Sequence, residues 1–193
     1  MQFEKAYEYI INELSNHLPN NLHYHNLDHT KDVYKASKAL ASLEKLNAYE
    51  TELLLTAAGY HDAGFIECNI GHELVSCEMA SKFLPLFGYD EIEVKHICDI
   101  ILATKVPQKP KDHLGQILCD ADLDYLGRDD YFKISNNLFL ELSIFGEVQS
   151  RNDWNKMQVA FLKNHHYFTF SAINLRQNKK EENLQKIKAQ LIS

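Results

Sequence analysis

The chain is poor in residues that break helices: its 193 residues include seven glycines and four prolines. No alternation of apolar and polar residues persists over the length of a strand. A β architecture is therefore excluded, and the spacing predicts an all-α fold. No apolar run approaches the roughly 20 residues that span a bilayer, so no membrane association is expected. The first residues, Met1-Gln2-Phe3-Glu4-Lys5-Ala6, carry an early acid and no apolar leader core, which points to a cytoplasmic protein. The four cysteines (Cys68, Cys77, Cys98, Cys119) form no Cys-x-x-Cys pair. They are expected to be reduced, mostly buried thiols rather than a disulfide framework. A basic excess is also missing. Lys and Arg number 20 against 27 Asp and Glu, for a net charge of −7. This argues against a nucleic-acid partner, which needs a basic surface to displace counterions. A small phosphorylated substrate stays open, because a metal ion can supply local positive charge.

What is present is an ordinary globular composition, 45% hydrophobic and 24% charged, in a chain long enough for one domain with a full core. Helices are predicted over 2–18, from about Leu27 to Leu46 and over 50–62, with Gly64 as the stop of the third. Further helices are predicted over 72–87, with Pro85 at a fraying end, and over 90–104 and 113–126. Lys105 to Lys111 holds two prolines and no periodicity and reads as a loop. From Tyr131 to Ile192 three or four more helices are expected, broken near Gly146 and around Asn178. The absence of any linker or repeat makes 1–193 a single domain, with a motif core at about 24–127 and C-terminal helices over 131–192.

The chemistry starts at His61-Asp62, which closes the apolar stretch Leu53-Leu54-Leu55-Thr56-Ala57-Ala58-Gly59-Tyr60. A buried imidazole beside a buried carboxylate is costly without a partner, and a divalent cation satisfies both. His29 lies upstream, in Tyr24-His25-Asn26-Leu27-Asp28-His29. Asp122 lies downstream, in Cys119-Asp120-Ala121-Asp122-Leu123. Together His29, His61, Asp62 and Asp122 offer two imidazoles and two carboxylates. That set leaves positions open for water and substrate, as catalytic metal sites do. Manganese, magnesium, iron, nickel, cobalt and zinc all accept it. His25 stands four residues before His29, on the same face if both are helical and ~6 Å away along the axis. Either both bind one ion, or His29 binds it while His25 acts on the substrate one turn further out.

This pattern resembles the HD superfamily of metal-dependent phosphohydrolases, whose signature is His … His-Asp … Asp on a helical scaffold. The four residues match it one for one, and the likeness covers roughly Tyr24 to Gly127. Glu52-Leu53-Leu54 before the dyad and Asp120-Ala121-Asp122-Leu123 after it are similar to a subgroup of small bacterial phosphohydrolases. The segment Tyr24 to His29 also resembles the cyclic-nucleotide phosphodiesterase signature. The resemblance implies a single HD-type helical bundle with one tightly held divalent ion at His29, His61, Asp62 and Asp122. It implies hydrolysis of a phosphate ester of a nucleotide or other small metabolite by attack of metal-bound hydroxide, with Asp122 helping to orient the water. It makes His25 the general acid, a role suited to an imidazole that titrates near neutrality. His72 falls where two-metal members bind a second ion. The place of a further histidine holds Ala103 or Thr104, however, and this departure argues against a second tight site.

His72 and Glu73, at a helix start, are read as substrate or second-metal contacts or as plain capping. Lys105 and Arg128 are candidate phosphate contacts, with Lys109 and Lys111 beside the first. Asp120 is expected to support the ligands, and Asp124 to face either substrate or solvent. His96 and the exposed His23 are read as outside the site. No role is assigned to His165 and His166 beyond packing with a polar edge, and Trp154, Phe161 and Leu162 are expected in the core. Two rival functions remain: a metal-dependent ligand-binding module without turnover, and a diiron oxygenase on the same scaffold. Oligomeric state is not read from the sequence.

Overall fold

The computed structural model describes residues 1–192. Among them are nine α-helices and no strand, so the all-α expectation holds. The helices are α1 (Phe3–His17), α2 (Leu27–Leu43), α3 (Ala48–Tyr60), α4 (His72–Phe83), α5 (Glu91–Ala103), α6 (His113–Asp122), α7 (Tyr131–Ile144), α8 (Arg151–Asn164) and α9 (Phe170–Ile192). The chain gathers into two compact units. The first holds Met1–Pro19 and His25–Asp122; the second holds Asn20–Tyr24 and the chain from Leu123 onward.

In the first unit α3 is central, packed against α1, α2, α5 and α6. The sequence accounts for this. Every residue from Leu53 to Tyr60 is buried, and a helix that is apolar all round has no face to give to solvent. Its start is set by a capping box: the Asn47 side chain accepts from the Glu50 N–H, and the Glu50 carboxylate from the Asn47 N–H. The same device, Asp90 with Glu93, starts α5.

In the second unit α9 packs on α8 and on the 3₁₀ turn Asp124–Gly127, which α7 also touches. Several polar groups inside are paired across its elements. Gln158 Oε1 accepts from the hydroxyls of Tyr131 and Ser135. Glu141 accepts the Tyr24 N–H at 2.7 Å. Asn183 Nδ2 donates to the carbonyls of Leu126 and Arg128. Trp154 and Leu162 are buried, as expected.

Three local expectations need correction. No break occurs at Asn178: α9 runs unbroken through it. Its buried stripe, Ala172, Lys180, Asn183, Leu184 and Ile187, outweighs the modest helix penalty of one exposed asparagine. Gly64 does not stop α3, which ends at Tyr60; Gly64 lies in the following 3₁₀ turn, Ala63–Ile66. It is needed for close approach, since a Cβ there would overlap the His72 carbonyl. The cysteines are not mostly buried. All are free, but only Cys119 is fully buried, while Cys68, Cys77 and Cys98 are half-buried.

Candidate metal centre

Each residue of the predicted ligand set sits at a helix end, where the backbone turns and side chains from different segments can meet. Asn26 caps α2, its side chain accepting from the N–H groups of Asp28 and His29. That cap fixes the first turn and with it the His29 ring. His25 is not on the helix, which starts at Leu27, but one residue ahead of the cap. Its ring centroid is nonetheless 5.9 Å from that of His29. His61 is the C-cap of α3, and Asp62 follows with φ −105° and ψ 10°. Leaving the helix at this point overcomes the divergence that two neighbours on a regular helix would have. Asp122 is the last residue of α6.

The polar atoms converge. His29 Nε2 lies 3.3 Å from Asp62 Oδ2 and 3.2 Å from Asp122 Oδ1. His61 Nε2 lies 3.2 Å from Asp62 Oδ2 and 3.7 Å from Asp122 Oδ1. Donors about 2.0–2.2 Å from a shared cation stand roughly 3.0–3.5 Å from one another. The observed spacings match that arrangement. His61 Nε2 and Asp62 Oδ2 are buried and face each other without the alignment a hydrogen bond needs. Buried polar atoms are seldom left so, and a cation is the partner that suits both. His29, His61 and Asp122 could together hold a metal ion, and Asp62 Oδ2 lies within 3.3 Å of both imidazoles.

The imidazoles are prepared for that role. His61 Nδ1 donates to the Ala58 carbonyl at 2.9 Å, and His72 Nδ1 donates to the Asn69 carbonyl at 2.9 Å. Each bond places the proton on Nδ1 and turns the Nε2 lone pair inward. Burial alone would lower the His29 pKa, but the carboxylates of Asp122 and Asp62 outweigh it and raise the value to about 10. For His61 burial again opposes and the Asp62 charge wins, so its pKa is raised. Burial would raise Asp62, yet the facing imidazoles hold it well below the usual carboxylate range. A cation would take over the charge balance that a proton otherwise supplies.

Around this centre the other candidates separate. His72 belongs to it: its Nε2 is 3.4 Å from Asp62 Oδ1 and 3.7 Å from Glu73 Oε1. Gly71 just before it has φ +80°, a left-handed conformation that suits glycine. Phe65 stacks on the rings of both His25 and His72, with centroid separations of 4.1 and 4.0 Å, and the two imidazole centroids are 6.1 Å apart. Ser76 on α4 ties down the dyad turn, accepting the Gly64 N–H and donating to the His61 carbonyl, each at 2.8 Å. Asp120 is buried beside the ligand-bearing end of α6.

Lys105 and Lys109 are exposed in the loop after α5, and Lys111 pairs with Asp99 at 2.6 Å. His96 pairs with Asp112 at 2.6 Å, and Thr104 donates its hydroxyl to the Ile101 carbonyl. Arg128 and Asp124 lie in the second unit. The Arg128 guanidinium is engaged by both oxygens of Asp130 and by Asp124 at 3.5 Å. Asp124 is neither solvent-facing nor open: it is buried and accepts from Arg176 at 2.6 Å. His165 packs against Phe161 and Tyr167, and its carbonyl accepts from Lys180. His166 is exposed beside Phe168.

Asn26, Phe65 and Ser76 escaped the reading of the sequence. An asparagine before a helix is a legible cap. Phe65 and Ser76 carry no local signal, because their partners come from other segments.

Neither a family model nor a curated protein matches the sequence. The fold, however, has a solved counterpart. The chain is similar to a crystal structure described as a predicted HD superfamily hydrolase from an uncultured Thermotogales bacterium, with a TM-score of 0.63 and 20% identity. The superposition covers 96% of this chain and 91% of that one. The two proteins share a helical fold along nearly their whole lengths.

Proposed function

We propose that the protein is a metal-dependent phosphohydrolase of the HD type, cleaving a phosphate ester of a nucleotide or other small metabolite in the cytoplasm. One observation carries the reading: each of two imidazole nitrogens lies 3.2–3.7 Å from each of two carboxylate oxygens, drawn from three separate segments, in a buried site. His29, His61, Asp62 and Asp122 would hold one divalent ion. When bound, that ion supplies a lowered water pKa and a positive contact for a phosphoryl oxygen.

The chain's own residues do the rest. Asp122 orients the attacking water through its carboxylate. His25, beside His29 but held by Phe65, donates a proton to the departing oxygen, and His72 positions the phosphate. Lys105 and Arg128 are the basic groups proposed from sequence for the substrate. Lys105 is exposed, whereas Arg128 would have to leave its two aspartates.

The test is metal analysis of the purified protein together with turnover of phosphate mono- and diesters in manganese, nickel or magnesium. Asp62→Ala is expected to lose both metal and turnover. His25→Ala is expected to keep the metal and slow turnover, most for poor leaving groups. Stoichiometric metal with no turnover on any ester would overturn the hydrolase and favour the ligand-binding module. Loss of the metal in His25→Ala would make His25 a ligand rather than an acid.

A further inference from the structure

Cys77 on α4 and Cys98 on α5 face each other across the packed helix pair. The Cys77 thiol donates to the Cys98 carbonyl at 3.5 Å, and the Cys98 thiol donates to the Cys77 carbonyl at 3.6 Å. Such reciprocal contacts place both thiols in one space between the helices. Both residues are half-buried, so a small reagent can reach them, whereas Cys119 is fully enclosed. The Ser81 hydroxyl lies 3.8 Å from Cys98 Sγ.

We propose that Cys77 and Cys98 form a reactive dithiol, a modification site that closes to a disulfide by exchange with a low-molecular-weight disulfide. The Cys98 thiolate attacks one sulfur of the small disulfide, RSSR, forming a mixed disulfide and releasing RS⁻, which takes up a proton. The Cys77 sulfur then attacks Cys98 Sγ, loses its proton and displaces the second RS⁻. One RSSR and two protein thiols give one protein disulfide and two RSH. The two electrons leave the cysteines and reduce the small disulfide.

The environment sets the order of attack. The hydrogen bond from the Cys77 thiol, opposed by burial and aided by Ser81, brings the Cys98 pKa down to about 7. The same hydrogen bond, together with burial, pushes Cys77 up. With the Ser81 hydroxyl beside its sulfur, Cys98 is assigned as the nucleophile and Cys77 as the resolving thiol, a division that exchange chemistry favours. The bond would form one residue from Ser76, which holds the His61–Gly64 turn. The dithiol chemistry does not depend on the hydrolase reading.

The experiment treats the full-length, metal-loaded protein with oxidised glutathione, followed by alkylation and peptide mapping without reduction. A linked peptide containing Cys77 and Cys98 is expected, with Cys68 and Cys119 alkylated or untouched. In Cys77→Ser, glutathione should stay trapped on Cys98. In Cys98→Ser, Cys77 should be modified far more slowly. Circular dichroism verifies that both variants are folded. Two results would overturn the proposal: both thiols remaining free at a large excess of oxidised glutathione, or a mixed disulfide on Cys98 of the unsubstituted protein that never resolves onto Cys77.

Discussion

The hydroxyl of Ser76 donates to the carbonyl of His61 at 2.8 Å. The same oxygen accepts the Gly64 N–H at 2.8 Å, so one side chain of α4 closes the turn that presents His61 and Asp62. Ser76 is completely buried. Ser76→Ala would leave a buried carbonyl and a buried N–H unpaired, at about 1–3 kcal/mol. Both chemical denaturation and metal titration should register the change: lower stability, and weaker metal binding because the dyad is no longer held. Unchanged metal affinity in the folded variant would show that the turn keeps its shape without the clamp.

Phe65 is buried and stacks on two imidazoles. Phe65→Ala should cost about 3–5 kcal/mol as a large-to-small core change. Phe65→Leu fills most of the volume but cannot stack. It is expected to retain the metal while lowering kcat, because His25 and His72 lose the surface that orients them. If Phe65→Leu turns over at the rate of the unsubstituted enzyme, the stack has no positioning role.

Metal binding should be coupled to protons. In the metal-free protein the facing carboxylates raise the His29 pKa to about 10, above an ordinary imidazole value of about 6.5. That raised value contributes stability fully present below about pH 6.5 and lost as pH rises through about 10. A cation must displace the same proton. Apparent metal affinity should therefore rise with pH across this window, by about tenfold per unit for each proton displaced. Calorimetry in buffers of differing ionisation enthalpy reads the proton release directly. Affinity that is flat with pH would mean His29 is neutral before the metal arrives.

Asp124 was a candidate for substrate contact, but its partners are Arg176 and Arg128. Asp124→Ala would leave the Arg176 guanidinium without its carboxylate, while Arg128 keeps Asp130. Arg176 keeps 30% side-chain exposure, so the loss should fall below the roughly 3–5 kcal/mol of a fully buried pair. Thermal unfolding should show it, with metal content unchanged. Loss of metal without loss of stability would return Asp124 to the site.

Much of the architecture was legible because helical periodicity and caps are local. The all-apolar run from Leu53 to Tyr60 announces a central helix, and it is buried throughout. The break expected at Asn178 failed because the burial that sustains α9 comes from residues elsewhere in the second unit. The histidine and aspartate candidates were visible for a chemical reason: imidazole beside carboxylate in an apolar context has few structural uses. Arg128 was less legible, since a guanidinium suits a phosphate and an aspartate equally well.

The sequence by itself determined the helical class, the placement of most helices and the residue types able to bind a metal, because periodicity, capping and donor chemistry are properties of short segments. Only the tertiary structure decided which atoms meet. It ended α3 at Tyr60 so that His61 and Asp62 point together, and it brought α4 close enough over Gly64 to forbid a Cβ there. It also set Phe65 against both His25 and His72 and Cys77 against Cys98. Such contacts are set by how helices pack, and packing depends on many distant side chains at once, which no local pattern encodes.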